Sequence, residues 1–275
     1  MPTGTVVSRG YLAAAAVRGR VRATFARCAY VAVDGGPLLV LHAAGRDHTP
    51  TSLCPAVWPP AGSAVAVGDP VVGRAGHLKI GELVLDARGA RVWRPAPARV
   101  TGASLVDPGI GVTHRLALRA AAGSTGGLVH ELERAVARHD VERVTSCVAS
   151  LVGRGPGLTP SGDDALVGLL AVTHRLAPAG APWHHDLLRP AVEAHLHRTG
   201  DISAHYLRLA VAGHFGERLI ALCDALVAGP RDDVAAAAAA VCATGATSGA
   251  DALLGVVSGL RLVAAAGAGD RAVAA

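Results

Sequence analysis

The residues best able to do chemistry lie in one loop, GRGPGLTPSGDD, at residues 153–164. Its glycines and prolines prevent regular structure up to Pro160, so a helix is predicted to begin at about Gly162. A loop that ends at a helix N-terminus exposes backbone amides, and these form an anion site with the positive end of the helix. An arginine in the loop adds a bidentate donor for a carboxylate or phosphate. We therefore predict that a small anion is bound by Arg154, Gly155, Gly157, Thr159, Ser161, Gly162 and Asp164.

The start of this helix recurs later in the chain. SGDDALVG at residues 161–168 aligns with SGADALLG at residues 248–255, and only two of the eight positions differ. The repeat extends the predicted anion site to Thr247, Ser248, Gly249 and Asp251. A purely structural interpretation also accounts for it, since each serine and the carboxylate three residues later have the spacing of a capping box. Gly168 and Gly255 would then serve a close helix crossing, with the two helix N-termini converging on one space.

Asp163 differs between the two copies, because Ala250 occupies the equivalent position. Asp164 would suffice as the helix cap, so Asp163 is predicted to be the catalytic residue and to be dispensable for folding. Beside an anion site, its carboxylate could orient a substrate amide, act as a base or hold Mg²⁺. The pattern requires no cofactor, although it could accommodate Mg²⁺. The histidines between His184 and His214 lack metal-ligand spacing, and no metal site is predicted from them.

The composition excludes several classes of function. The chain contains no Asn or Gln and a single lysine, Lys79, so a Schiff base or a phosphate-loop lysine could only be Lys79. The net charge of +5 is carried by residues 1–33, and no basic face with interleaved aromatics follows, which argues against nucleic-acid binding. The apolar run at residues 11–17 is too short to span a membrane. The five cysteines form no C-x-x-C pair, and a reducing, cytoplasmic location is predicted.

The two halves of the chain have different hydrophobic periods. Short β-type runs separated by turn residues predict a β-rich, barrel-like domain at residues 20–97, after a basic helix at residues 1–19. A linker follows at Pro95–Thr101. Helical spacing of apolar residues then predicts a larger, mostly α-helical domain at residues 102–267 and a frayed tail at residues 268–275. The fold class is therefore α+β.

These motifs carry a family resemblance. GRGPGLTPSGDDALVG resembles the signature of the bacterial family typified by AllH, a subunit of oxamate carbamoyltransferase. Thr199 and Ser203 fall in a stretch similar to that family's T-x-x-I-S-x-x-Y-L element, and they join the predicted anion-binding residues. Residues 245–251 resemble its later G-x-[ST]-S-G-x-D element. The likeness extends over about residues 150–260.

The resemblance implies a cytoplasmic protein of purine and allantoin nitrogen metabolism that acts in an oligomer with two other subunits. Together they would move a carbamoyl group between oxamate and carbamoyl phosphate, both of which are small anions. Two alternatives stay open from the residues. One is a non-catalytic anion-binding or regulatory subunit. The other is a small-molecule kinase, although no GxxxxGK[ST] loop is present.

Overall fold

The computed structural model describes residues 3–14, 16–59, 65–97, 125–176, 183–228 and 230–273. Its contacts divide the chain into two compact units, Met1–Ala96 and Pro97–Ala275. Most of the predicted linker and the start of the predicted helical domain at residue 102 lie outside the described residues.

The first unit is built of β-strands. In chain order they are β1 Thr3–Gly10, β2 Val17–Phe25, β3 Cys28–Val33, β4 Leu39–His42, β5 Ser52–Pro55, β6 Pro70–Arg74, β7 His77–Ile80, β8 Leu83–Asp86 and β9 Arg91–Trp93. Most neighbours are antiparallel, and the pairs β4–β5, β1–β8 and β1–β9 are parallel. Within the predicted β-rich domain, residues 65–67 are not a strand. They form coil and turn beside the Asp69 carboxylate, which accepts a hydrogen bond from the Ala66 amide.

The strands close into a barrel through β1. This strand pairs with β5 as well as with β8, so the eight strands β1–β8 form a continuous ring while β9 lies beside β1. Alternate side chains fill the interior, as the period of two along a strand requires. The barrel core includes Val6, Val21, Val31, Leu41, Ile80 and Leu85. The prediction of a barrel-like β domain is confirmed.

The basic helix predicted at residues 1–19 is wrong. Residues 3–10 and 17–25 form strands β1 and β2. The positive charge concealed a period of two, because Val17 and Val21 face the barrel interior while Arg18 and Arg22 are exposed. The alternation of buried and exposed side chains, and not the net charge, determines that this segment is a strand.

The described part of the second unit is helical. It contains α1 Thr125–Ala137, α2 Val141–Leu151, α3 Ser161–Arg175, α4 Trp183–His195, a 3₁₀ turn Leu196–Arg198, α5 Asp201–Val211, α6 Glu217–Ala228, α7 Arg231–Cys242 and α8 Ser248–Val273. The prediction of an α+β fold with a helical second part is confirmed. The tail predicted to be frayed is helical as far as Val273, since its alanines favour helix.

Helix α8 forms the centre of this unit. It packs most extensively against α3 and also contacts α1 and α7. Its segment Ser248–Ala266 is long and apolar enough to cross a membrane by length and composition, with 67% of that window buried inside the protein. A buried core helix has the same composition, and Leu253, Val256 and Leu260 are fully enclosed here.

Candidate functional site

Helices α3 and α8 touch through the two glycines of the repeat. A Cβ atom added to Gly168 would lie 2.0 Å from the carbonyl oxygen of Ala252. One added to Gly255 would lie 1.8 Å from the carbonyl oxygen of Ala165. Only glycine permits this approach of backbone to backbone. The predicted packing through Gly168 and Gly255 is confirmed.

The two helices run in the same direction from a shared end. The Thr159 and Ser248 hydroxyls are 2.8 Å apart at that end, and Gly259 contacts Val172 further along. Gly168 of α3 meets the Ala252 carbonyl of α8, and Gly255 of α8 meets the Ala165 carbonyl of α3. The duplicated sequence thus produces a local pseudo-two-fold arrangement, and the predicted convergence of the two helix N-termini is confirmed.

The glycine after each serine has an equally local cause. A Cβ atom on Gly162 would lie 2.1 Å from the carbonyl oxygen of Leu151. A Cβ atom on Gly249 would lie 1.9 Å from the carbonyl oxygen of Val241. Each glycine therefore lets its helix begin directly against the helix that precedes it. This contact explains why Gly162 and Gly249, both predicted as anion-binding residues, are needed for packing.

The loop before α3 depends on glycines in left-handed backbone conformations. Gly153, Gly155 and Gly157 have φ values of +76°, +119° and +90°. The Gly162 amide donates to the Arg154 carbonyl at 2.9 Å and folds the loop back onto the helix start. Five other loop amides donate no hydrogen bond within the described residues. They belong to Gly155, Gly157, Leu158, Thr159 and Ser161. The loop therefore offers the unpaired donors that an anion requires.

Asp163 anchors this loop to α5. Its carboxylate accepts hydrogen bonds from the Gly153 amide at 2.8 Å, the Thr199 hydroxyl at 2.5 Å and the Ser203 hydroxyl at 2.6 Å. The residue is only 1% exposed. The structure thus brings together Asp163, Thr199 and Ser203, which the sequence analysis had named separately. Asp163 is therefore not a free carboxylate, because both of its oxygens accept hydrogen bonds from the protein's own donors. These contacts argue against the expectation that Asp163 is dispensable for folding.

The capping boxes predicted at the two helix starts are not formed as such. Helix α3 has Pro160 at its N-cap and no side-chain hydrogen bond there, and the Asp164 amide donates to the Pro160 carbonyl. In the second copy, the Asp251 amide donates to the Thr247 carbonyl. The Asp164 and Asp251 carboxylates therefore do not cap the backbone amides at the starts of α3 and α8. They are available for other contacts.

Asp164 and Asp251 belong to a second cluster with Thr159 and Ser248. Burial raises the pKa of Asp164 to about 7, and the charges of Asp251 and Asp163 add to this effect, whereas hydrogen bonds from Ser248 and Thr159 oppose it. Asp251 is 7% exposed. The Oδ2 atoms of Asp164 and Asp251 are both buried without a hydrogen-bond partner among the described residues. We call these four residues the hydroxyl–carboxylate cluster.

Folding stability should depend on the protonation of Asp164. Its pKa rises on folding from 3.8 to about 7. The contribution is therefore fully present below pH 3.8 and is lost as the pH rises toward 7, because only the folded state retains the proton between these values. In urea unfolding, Asp164→Asn should remove this dependence and become more stable than the parent at pH 8 by on the order of 3 kcal/mol.

The difference between Asp164→Asn and the parent is the quantity to measure. Burial lowers the pKa of His184 and of His205 from 6.5 to about 4. Between these values the unfolded chain binds more protons, so the two histidines stabilise the folded state increasingly as the pH rises from about 4 to 6.5. Their effect is common to both proteins and cancels in the difference. A difference that stays constant from pH 4 to pH 8 would contradict a raised Asp164 pKa.

The remaining predicted residues surround these two clusters. Arg154 is exposed at the loop, and Thr247 is exposed at the start of α8. Ser161 lies against Gly155, where an added Cβ would be 2.8 Å from the Ser161 amide nitrogen. In the part of the chain that the structure describes, no group of three or more His, Cys, Asp or Glu side chains could hold a metal ion.

Gly153 is the site residue that the sequence analysis missed. It donates to Asp163, and a Cβ atom at this position would lie 2.4 Å from the Arg198 carbonyl oxygen. The G-x-G-x-G pattern could have indicated Gly153, because it continues the two-residue spacing of Gly155 and Gly157, which were predicted to bind the anion. Its role depends on Arg198, whose proximity only the fold provides.

Comparison with known proteins identifies the same region. No solved structure matches the chain. A family model described as oxamate carbamoyltransferase subunit AllH matches residues 151–260, which begin at the end of α2 and include both helix starts. The resemblance predicted from the GLTPSGDD motif is thus confirmed, and residues 151–260 are similar to the AllH family.

Proposed function

We propose that this chain is a subunit of a carbamoyltransferase-type enzyme and that it binds a small anionic substrate where α3 and α8 begin. The observation that carries the proposal is the 2.8 Å contact between the Thr159 and Ser248 hydroxyls. It brings two helix N-termini to one point, beside a loop in which five amides donate no hydrogen bond within the described residues. Two converging helix N-termini favour negative charge more strongly than one.

The loop supplies the donors for a phosphate or carboxylate group. The backbone offers hydrogen bonds from the amides of Gly155, Gly157, Leu158, Thr159 and Ser161. The exposed Arg154 guanidinium adds a charged, planar pair of donors. Carbamoyl phosphate and oxamate, the ligands that the family resemblance implies, each carry such a group. On this proposal Asp163 is a positioning residue, because it holds Gly153 and therefore the start of the loop.

The match to a carbamoyltransferase subunit also supports the involvement of other chains. We propose two partner subunits and a cytoplasmic location, which agrees with five free cysteines. Burial raises the pKa of Cys223 to about 12, so this thiol is suited to packing and not to redox chemistry. The kinase alternative has less support, since Lys79 lies on β7 of the other unit.

Reconstitution tests the proposal. The chain is mixed with its two candidate partner subunits, and carbamoyl transfer from carbamoyl phosphate to oxamate is followed by phosphate release. We expect transfer only when all three chains are present. If the partners act equally well without this chain, the catalytic proposal is wrong, and phosphate binding by the isolated chain would then favour the non-catalytic alternative. ATP-dependent phosphorylation of a metabolite would favour the kinase.

Arg154→Ala should weaken anion binding without affecting stability. The side chain is exposed, so we expect an unchanged Tm and an approximately tenfold higher Kd for inorganic phosphate, the loss expected for one charged hydrogen bond. Arg138→Ala is a matched control, because Arg138 is also exposed but lies at the end of α1. Titration calorimetry measures both. Equal losses for the two variants would show that only net charge matters.

A further inference from the structure

The hydroxyl–carboxylate cluster contains two carboxylates that no other feature of the fold uses. Asp164 and Asp251 occupy the same position in the two copies of the repeat, and α3 and α8 run side by side from the Thr159–Ser248 contact. The pseudo-two-fold packing therefore brings both carboxylates to the same end of the helix pair.

Each carboxylate has one oxygen that needs a partner. The Oδ2 atoms of Asp164 and Asp251 are enclosed, and neither has a hydrogen-bond partner in the part of the chain that the structure describes. A buried acceptor without a donor is destabilising, and two like charges in one buried region are more so. One proton on the pair removes a charge and supplies a donor. In contrast, both oxygens of Asp163 accept hydrogen bonds, from three donors in all.

We propose that the hydroxyl–carboxylate cluster holds a single proton at neutral pH, and that the Thr159–Ser248 hydroxyl pair connects this proton to an anion bound at the loop. The titratable groups that act on Asp164 are Asp251 on α8 and Asp163 on its own helix, and both disfavour its charged form. Thr159 and Ser248 are partly exposed, whereas Asp251 is buried.

The proton transfer itself is balanced. The pair gives its proton to a hydroxyl oxygen as that hydroxyl passes its own proton to an oxygen of the bound anion, and the reverse transfer restores the starting state. No other reactant is needed. The link to a bound anion rests on the proposed function, whereas the shared proton does not.

Carbon-13 NMR of labelled aspartate in the full chain measures the proton directly. The Asp164 carboxyl signal, assigned by its loss in Asp164→Asn, should titrate near pH 7. In Asp251→Asn it should titrate at a lower pH, because a like charge is gone. Asp233→Asn changes an exposed carboxylate in the first turn of α7 and should leave the signal unchanged. Titration near pH 4 in the parent, or no response to Asp251→Asn, would overturn the shared proton.

A second measurement separates the proton from a cation and from the ligand. If MgCl₂ alone shifts the Asp164 signal and releases a proton, the pair is a cation site and the proposal fails. Calorimetry of inorganic phosphate binding in buffers of different ionisation enthalpy should show proton exchange in the parent and none in Thr159→Val. Proton exchange that persists in Thr159→Val would overturn the hydroxyl connection. Absence of phosphate binding would refute the proposed function while the carboxyl titration still decides the shared proton.

Discussion

Gly255→Ala should destabilise the helical unit by about 3 kcal/mol, an effect at the upper end of those caused by overpacking. The added methyl group would lie 1.8 Å from the Ala165 carbonyl oxygen and 2.7 Å from the Leu169 amide nitrogen. Both are backbone atoms of α3, so no side-chain rotation relieves the clash. The helices must separate, and the site at their N-termini should lose its geometry with them.

Urea unfolding followed by the helical circular dichroism signal measures this effect. Gly127→Ala is the matched control, because Gly127 also lies in a helix but faces open space. Alanine there should increase stability by up to about 1 kcal/mol through helix propensity. Gly168→Ala should behave like Gly255→Ala, since its methyl group would lie 2.0 Å from the Ala252 carbonyl oxygen. If Gly255→Ala is as stable as the parent, the close crossing of α3 and α8 does not exist.

Asp163→Ala should be nearly as damaging, with an expected loss of about 3–5 kcal/mol. The substitution leaves the Gly153 amide and the Thr199 and Ser203 hydroxyls without their acceptor in a buried position. The loop should also lose its anchor, so phosphate binding should disappear even at temperatures where the variant remains folded. The sequence alone predicts the opposite, namely that loss of the Asp163 carboxylate has little effect on folding.

Asp140→Ala provides a scale for the Asp163 effect. Asp140 is exposed and accepts one hydrogen bond, from the Arg143 amide at the start of α2 at 2.9 Å. Its loss should cost about 1 kcal/mol, as is usual for an N-cap. Thermal unfolding and phosphate calorimetry on both variants decide the matter. Similar small losses for both would mean that Asp163 does not anchor the loop.

Much of the fold could be predicted from local patterns. The change from a period of two to a helical period separates the barrel from the helices, and the repeated SG-x-D-A-L-x-G unit predicts that Gly168 and Gly255 lie at one crossing. Strand β1 and the first residues of β2 were missed. In β2, the arginines concealed the alternation that buries Val17 and Val21.

The chemical roles of adjacent carboxylates were harder to predict. Sequence spacing describes only the local helix start, so Asp164 resembled a cap and Asp163 resembled a free group. The Asp163 carboxylate meets Thr199, 36 residues away, and the Asp164 carboxylate meets Ser248 of the other copy. These partners are determined by how α5 and α8 pack against α3. A local pattern contains no information about that packing.

The most direct test of the anion site is a titration of the full, nitrogen-15-labelled chain with carbamoyl phosphate, followed through its backbone amide NMR signals. We expect saturable shifts at the start of α8 near Ser248 and in the loop, at Gly155, Gly157, Leu158, Thr159 and Ser161. The same shifts should be much smaller in Arg154→Ala. Shifts confined to other parts of the chain, or none at millimolar ligand, would contradict the proposal that the paired helix starts bind the substrate.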